Sequence, residues 1–251
     1  MKRQLKGFYL LVSSVIIAIL HLPFASGKAP HIKPAWPPEL STPNSPRDSA
    51  SFLVSARSVY DSLHLDIAGL SRKAFECAQT GWTKLMSQGK LMNQSVIAII
   101  DFSQPSNKKR LFILDMNNYK VLFNTLVAHG KNSGKEWATR FSNQPSSYKS
   151  SPGFYITGDT YSGSNGYSLK LEGVEAGIND KAQRRAIVMH GADYVDESWI
   201  DMQGYIGRSE GCPAVPSREA SSIIDAIRNG TCLFIYAPDT RYLNRSSLLK
   251  G

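Results

Sequence analysis

Ser95–Phe102 reads SVIAIIDF, and this stretch divides the chain. It is dense in β-branched residues and too short for a buried helix, so it is a strand. Upstream, the apolar residues recur at helical spacing. Ser71 can cap a helix in which Phe75, Ala78, Trp82 and Leu85 fall at steps of three and four, and Gly89 can stop it. Before that, Phe52, Val59, Leu63 and Ile67 fit one apolar stripe. Downstream the pattern is that of strands. Leu111–Met116 and Val121–Ala128 are joined by Asn117-Asn118, a good turn pair, and Arg185–His190 (RAIVMH) and Thr231–Tyr236 (TCLFIY) follow. One late helix is expected, capped by Ser217, with Ala220, Ile223, Ile224 and Ile227 on one face and Asn229-Gly230 at its end. The fold class is therefore mainly β with α additions, preceded by a helical segment.

Twelve of the nineteen glycines lie from Gly130 to Gly211, a linker-like composition. Yet Phe141, Tyr148, Phe154, Tyr155, Tyr161 and Tyr167 interrupt the stretch, and a linker has no use for aromatics. Short strands and shaped loops are expected there. The whole chain of 251 residues is 42% hydrophobic and 20% charged, which excludes a disordered chain, a coiled coil or a collagen-like rod.

The N-terminus has the pattern of an export signal. Met1-Lys2-Arg3-Gln4-Leu5-Lys6 is basic, Gly7–Leu20 is apolar, and Ala25-Ser26-Gly27 is small. Residues 1–27 are expected to be a signal peptide, with an uncleaved anchor as the alternative. The apolar run is short for a membrane span. Residues 28–50 hold six of the thirteen prolines and read as a flexible tether. Residues 51–92 form the helical segment, packed on a catalytic domain spanning 93–251. Cleavage after Gly27 removes three bases from the formal charge of +9, leaving +6, a mild excess with no basic run interleaved with aromatics. Nucleic acid is not a predicted partner. The expected location is the periplasm or cell envelope, with no stable membrane span after cleavage.

Three cysteines are too few for a disulfide scaffold. Cys77 and Cys232 sit in apolar patterns and read as structural. Cys212 lies in GRSEGCPAVP (207–216), a polar loop with a glycine before it and prolines after it. On the residues alone, a disulfide to Cys77 or Cys232, an inert thiol and a reactive thiol all remain open. His190 ends RAIVMH and precedes Gly191, where a strand can hold an imidazole facing a cleft. A thiol needs such a base, because the thiolate is the nucleophile. The glycine before the cysteine allows backbone N–H groups to point at a developing oxyanion.

His190-Gly191 followed by Ser209-x-Gly211-Cys212 resembles the HG…S/T-x-G-C motif of the YkuD-type L,D-transpeptidases. The surrounding words are similar to the murein L,D-transpeptidase catalytic domain family. They include AHGKNSG (128–134), FSN (141–143), SSPGFYITGDTYSG (150–163), NGYSLKLEGVEAGIND (165–180), MHGADYV (189–195) and GRSEGCPAVP (207–216). The likeness runs over about residues 50–238. The commonest motif has His where this chain has Glu210.

The resemblance implies an L,D-transpeptidase-type β-sandwich in which Cys212 attacks the carbonyl of the L-centre of diaminopimelate in a peptidoglycan stem tetrapeptide. D-Alanine leaves, protonated by His190, and the acyl group passes to an amine of a second stem or to water. Gly211 and Cys212 N–H groups form the oxyanion hole, and the Gly191 carbonyl orients the imidazole. A nearby imidazolium is expected to lower the thiol pKa. Peptidoglycan stem peptides are the implied partner, and no metal or organic cofactor is required. Arg208, Ser209, Tyr194 and Tyr167 are the candidate substrate-binding residues, whereas Arg184-Arg185 reads as a solvated face.

Three other readings stay open. One is a cell-wall peptide hydrolase (an L,D-carboxypeptidase) using the same Cys/His pair. A second is a non-catalytic wall-binding protein. The third, a zinc site from His190, Cys212 and His129, lacks the close ligand pair such sites need.

Overall fold

The computed structural model describes residues 59–250. The expected signal peptide (1–27) and tether (28–50), and Phe52, lie outside these residues. Eight strands make one mixed sheet: β1 (Asn93–Asp101), β2 (Leu111–Asp115), β3 (Lys120–Thr125), β4 (Gly153–Gly163), β5 (Gly166–Gly173), β6 (Val188–Ala192), β7 (Ala214–Pro216) and β8 (Thr231–Tyr236). Their order is β3-β2-β1-β8-β4-β5-β6-β7. The β1–β8 and β6–β7 pairs are parallel and the other pairs antiparallel. Around the sheet lie α1 (Arg72–Ser87), α2 (Glu197–Gln203), α3 (Ala220–Ile227) and α4 (Thr240–Arg245).

The central strands are apolar on both faces because both faces are covered. In β1, Ile97 and Ile99 point into one core and Ala98 and Ile100 into another. In β8, Cys232, Phe234 and Tyr236 join the first core, while Leu233 and Ile235 join the second. This is the two-residue alternation of a strand read out as two cores. The first core is closed by α1 through Phe75, Ala78, Trp82 and Leu85. Each large apolar side chain buried there is worth about 1.5–3 kcal/mol. Ser71 caps α1 by accepting from Ala74 N–H at 3.2 Å. The segment before it is less regular than a single stripe requires. His64 takes a left-handed conformation, Val59 and Leu63 stay buried, and Ile67 turns out to solvent at 81% exposure.

The second core draws on β1, β2, β4, β5, β6, β7 and β8 and on Ile223, Ile224 and Ile227 of α3. Strands from both limbs of the sheet meet in it, so the sheet is strongly curved. Its edges nearly close. The chain leaving β3 crosses to the far edge, where Ala128 N–H donates to the Ala214 carbonyl at 2.8 Å and Gly130 bridges Ser209. That crossing puts residues 128–131 against the loop that carries Cys212.

Two boundaries differ from the sequence reading. Arg185–His190 is not one strand: Gln183–Arg185 forms a 3₁₀ turn, Ala186 is left-handed, and β6 starts at Val188. His190 therefore sits inside β6, paired with Ser168 on one side and Ala214 on the other, not at its end. Ser217 does not cap α3 either; its hydroxyl donates to Asp193 Oδ1 at 2.6 Å. Among the described residues no helix is long and apolar enough to cross a membrane.

Candidate active site

A cleft of about 660 Å³ opens at the end of the sheet where β6, β7 and the 207–213 loop meet. His190, Gly191, Tyr194, Arg208, Ser209 and Cys212 line it, together with Arg185–Ile187, Asp193, Glu210 and the β4–β5 hairpin tip, Ser164-Asn165. Six of the eight candidate site residues are thus on one cleft wall. Of the other two, Gly211 lies behind Cys212. Tyr167 is elsewhere: its hydroxyl donates to Asp225 on α3 at 2.7 Å, and its ring packs on the second core.

The parallel β6–β7 pairing fixes His190 beside the Cys212 loop. The ring Nδ1 hydrogen-bonds the Gly191 carbonyl at 2.8 Å, so Nδ1 carries the proton and Nε2 is left as the acceptor. The loop is shaped by Ser209. Its hydroxyl donates to the Cys212 carbonyl at 2.6 Å and accepts from Gly211 N–H at 3.0 Å. Gly211 has φ +128°, which a side chain tolerates poorly, and an added Cβ would lie 2.9 Å from the Lys149 carbonyl. The Gly211 N–H is therefore spent within the loop. As a free oxyanion donor only the Cys212 N–H remains of the expected pair, having no acceptor among the described residues.

All three cysteines are free thiols. The Cys212 thiol donates toward the Ala186 carbonyl at 3.7 Å. Burial pushes its pKa above the usual thiol value; the Val188 N–H and the Arg185 guanidinium pull it down, and Glu210 pushes it up. The expected lowering by an imidazolium is therefore not met in this arrangement, where the group is a thiol facing Ala186. Burial also raises the Tyr194 hydroxyl, to about 12, so it stays a phenol.

Arg208 donates to the Lys131 and Gly134 carbonyls at 3.3 and 3.1 Å and so braces the loop as well as lining the cleft. Arg185, read as solvated, is half-buried beside Cys212. It donates to the Ser142 and Lys149 carbonyls and the Ser151 hydroxyl at 2.6–2.9 Å, tying residues 142–151 to the cleft. No local pattern marks it, and only its nearness to His190 in the chain was a signal. His129 is fully buried, its Nδ1 2.8 Å from Arg110 Nη2, and it does not line the cleft. The zinc reading thus has no assembled donors, and among the described residues no cluster of three His, Cys, Asp or Glu side chains suits a metal ion.

The family model described as L,D-transpeptidase catalytic domain matches residues 66–236. No curated protein matches the chain. Among solved structures, it is similar to an L,D-transpeptidase from Mycobacterium smegmatis at 14% identity, covering 57% of this chain and 59% of that one, with a TM-score of 0.35. An L,D-transpeptidase from Xylanimonas cellulosilytica matches at 14% identity over 57% and 60% of the two chains, TM-score 0.34. The helical cell shape determining protein Pgp2 from Campylobacter jejuni matches at 12% identity over 58% and 49%, TM-score 0.39. The chain thus spans about half to three fifths of the length of these relatives. A family match that takes in α1, the sheet through β8 and both cleft segments carrying His190 and Cys212 makes the chain a member of the L,D-transpeptidase catalytic-domain family.

Proposed function

We propose that this chain is a cysteine-dependent L,D-transpeptidase acting on peptidoglycan stem tetrapeptides in the periplasm or cell envelope. The observation that carries the reading is the convergence of Cys212 and His190 in one cleft, with the imidazole held through Nδ1 by Gly191 and its Nε2 unspent. The thiol first leaves the Ala186 carbonyl and gives its proton to Nε2. Sγ then attacks the carbonyl on the L-centre of the third stem residue, and the Cys212 N–H meets the oxyanion. The C–N bond to D-alanine breaks, and the proton on Nε2 passes to the leaving nitrogen. In the second half, an amine of another stem attacks the thioester carbonyl. Nε2 takes that amine's proton, the C–S bond breaks, and the proton returns to sulfur. The net change is one amide exchanged for another, which needs no oxidant, metal or nucleotide.

The test is mass spectrometry of the full chain incubated with purified stem tetrapeptide. The expected products are a dimer lacking one D-alanine and a Cys212 adduct absent from Cys212→Ala. Tripeptide without dimer makes the acceptor water. Release of D-alanine by folded Cys212→Ala sinks the nucleophile assignment.

A further inference from the structure

A second groove, of about 390 Å³, lies against the catalytic cleft. Ala186 and Ile187 line both, so one two-residue wall separates them. The Cys212 thiol donates to the carbonyl of that wall, at Ala186.

The groove is built by a bulge. Thr157 pairs with Leu171 and Thr160 with Leu169, so Gly158 and Asp159 together face Lys170 alone. Asn229 N–H fixes the bulge by donating to the Gly158 carbonyl at 3.1 Å. Beyond it the Tyr161 ring lies across Gly163: a Cβ there would fall 2.6 Å from a ring carbon. The ring is thereby laid along the strand, and it stays 39% exposed. Around it stand Asp159, Lys170, Glu172 and Gln183, over Ile187. Among the described residues none of these four polar side chains makes an ion pair, and Tyr161 Oη has no hydrogen-bond partner. In the catalytic cleft, by contrast, Arg185, Arg208, Asp193 and Glu210 are all engaged by protein groups.

We infer that this groove binds a sugar of the peptidoglycan glycan strand, a chain of β-linked N-acetylated amino sugars. One face of such a ring is a layer of C–H groups, which suits the negative face of an aromatic ring. Its rim of hydroxyls and acetamido groups both donates and accepts, which suits carboxylates, an amide and an ammonium with unspent capacity. Two acids against one lysine disfavour an anionic ligand. The inference rests on the stem-peptide reading of the cleft. In that substrate only the first two stem residues and the backbone of the third lie between the sugar's peptide linkage and the reacting carbonyl, a span of about 10 Å or more for an extended chain. A sugar site just across one wall from the nucleophile is within that reach.

The experiment has two arms on the full chain. The first needs no turnover: binding of a peptide-free N-acetylglucosamine tetramer is followed by NMR. Saturable binding is expected for the wild type and for Tyr161→Phe, with at least a tenfold loss in Tyr161→Ala. The second compares D-alanine release from free tetrapeptide and from disaccharide-tetrapeptide. Tyr161→Ala is expected to raise KM about tenfold for the disaccharide substrate, leave its kcat, and leave both constants for the free peptide unchanged. Tetramer binding that is absent or indifferent to Tyr161, or a variant that affects both substrates alike, overturns the inference. Tyr161-dependent tetramer binding with turnover of neither substrate leaves the sugar groove standing and sinks the transpeptidase reading instead.

Discussion

Val127-Ala128-His129-Gly130 and Val188-Met189-His190-Gly191 share one spacing of valine, histidine and glycine, and both flank the 209–216 segment. Ala128 N–H donates to the Ala214 carbonyl from one side, while His190 pairs with Ala214 from the other. The two histidines nevertheless do opposite work. His129 meets Arg110, a fully buried guanidinium that also donates to the Val127 and Gln104 carbonyls. Burial and that charge pull His129 down to about 3, so it stays neutral, while its own carbonyl accepts from Ser209 N–H at 3.0 Å. Among the described residues the His190 ring hydrogen-bonds only the carbonyl of its neighbour, and it opens on a cleft. What each histidine does here is decided by what its ring meets, the Arg110 guanidinium for His129 and an open cleft for His190. His129 braces the Cys212 loop from behind, and His190 faces the cleft from the front.

The comparison predicts a clean split. His190→Ala should slow acylation of Cys212 by about 10²-fold or more, the usual scale of general acid–base catalysis, with little change in the melting temperature. His129→Ala should do the reverse. It strips an acceptor from a buried cation, which costs about 1.5–3 kcal/mol, while the folded fraction still acylates within tenfold of the wild-type rate. Stopped-flow acylation and denaturant melts on both variants decide it. A folded His129→Ala protein that cannot be acylated would erase the distinction.

Acid should expose the same difference in stability. An unfolded histidine takes up a proton near pH 6.5, whereas folded His129 resists until about 3. The unfolded state thus binds more protons as pH falls through that window. His129's contribution is complete above pH 6.5 and is lost toward pH 3, at up to about 1.4 kcal/mol per pH unit. Glu175, raised by burial, works in the opposite sense at acid pH but is common to wild type and variant. The stability gap between wild type and His129→Gln should therefore shrink steadily from pH 7 to pH 4. A gap that stays constant contradicts a neutral buried imidazole.

Much of this was legible in the chain, for physical reasons. SVIAIIDF and TCLFIY declare buried strands because both of their faces need apolar residues, and α1 declares itself through Ser71 and the spacing of Phe75, Ala78, Trp82 and Leu85. Cys212 and His190 are carried by a motif with fixed partners. Arg185 was not legible, because its partners are backbone carbonyls 36 and 43 residues away, which leave no trace in composition. Tyr167 was misplaced for the same reason: strand alternation does not say that Asp225 waits on α3. Gly211 follows suit, since its N–H is free or spent according to the rotamer of Ser209.

The smallest effect concerns the charges in front of His190. Glu210 lines the cleft, is 2.7 Å from Lys131 and is largely exposed; its carboxylate raises the Cys212 thiol. Glu210→Gln should therefore shift the pH midpoint of Cys212 alkylation by iodoacetamide to lower pH. Cys77 and Cys232 do not obscure the readout, because burial hides both and raises both. An exposed charge acts through solvent, so 1 M salt, with a screening length of about 3 Å, should erase most of the shift. The buried Arg110–His129 contact has no solvent between its atoms, so the same salt should leave the acid profile of His129 in place. If salt moved the two alike, the difference between a field made of surface charges and one made of a buried cation would be gone. The contrast between the two histidines would then reduce to exposure alone.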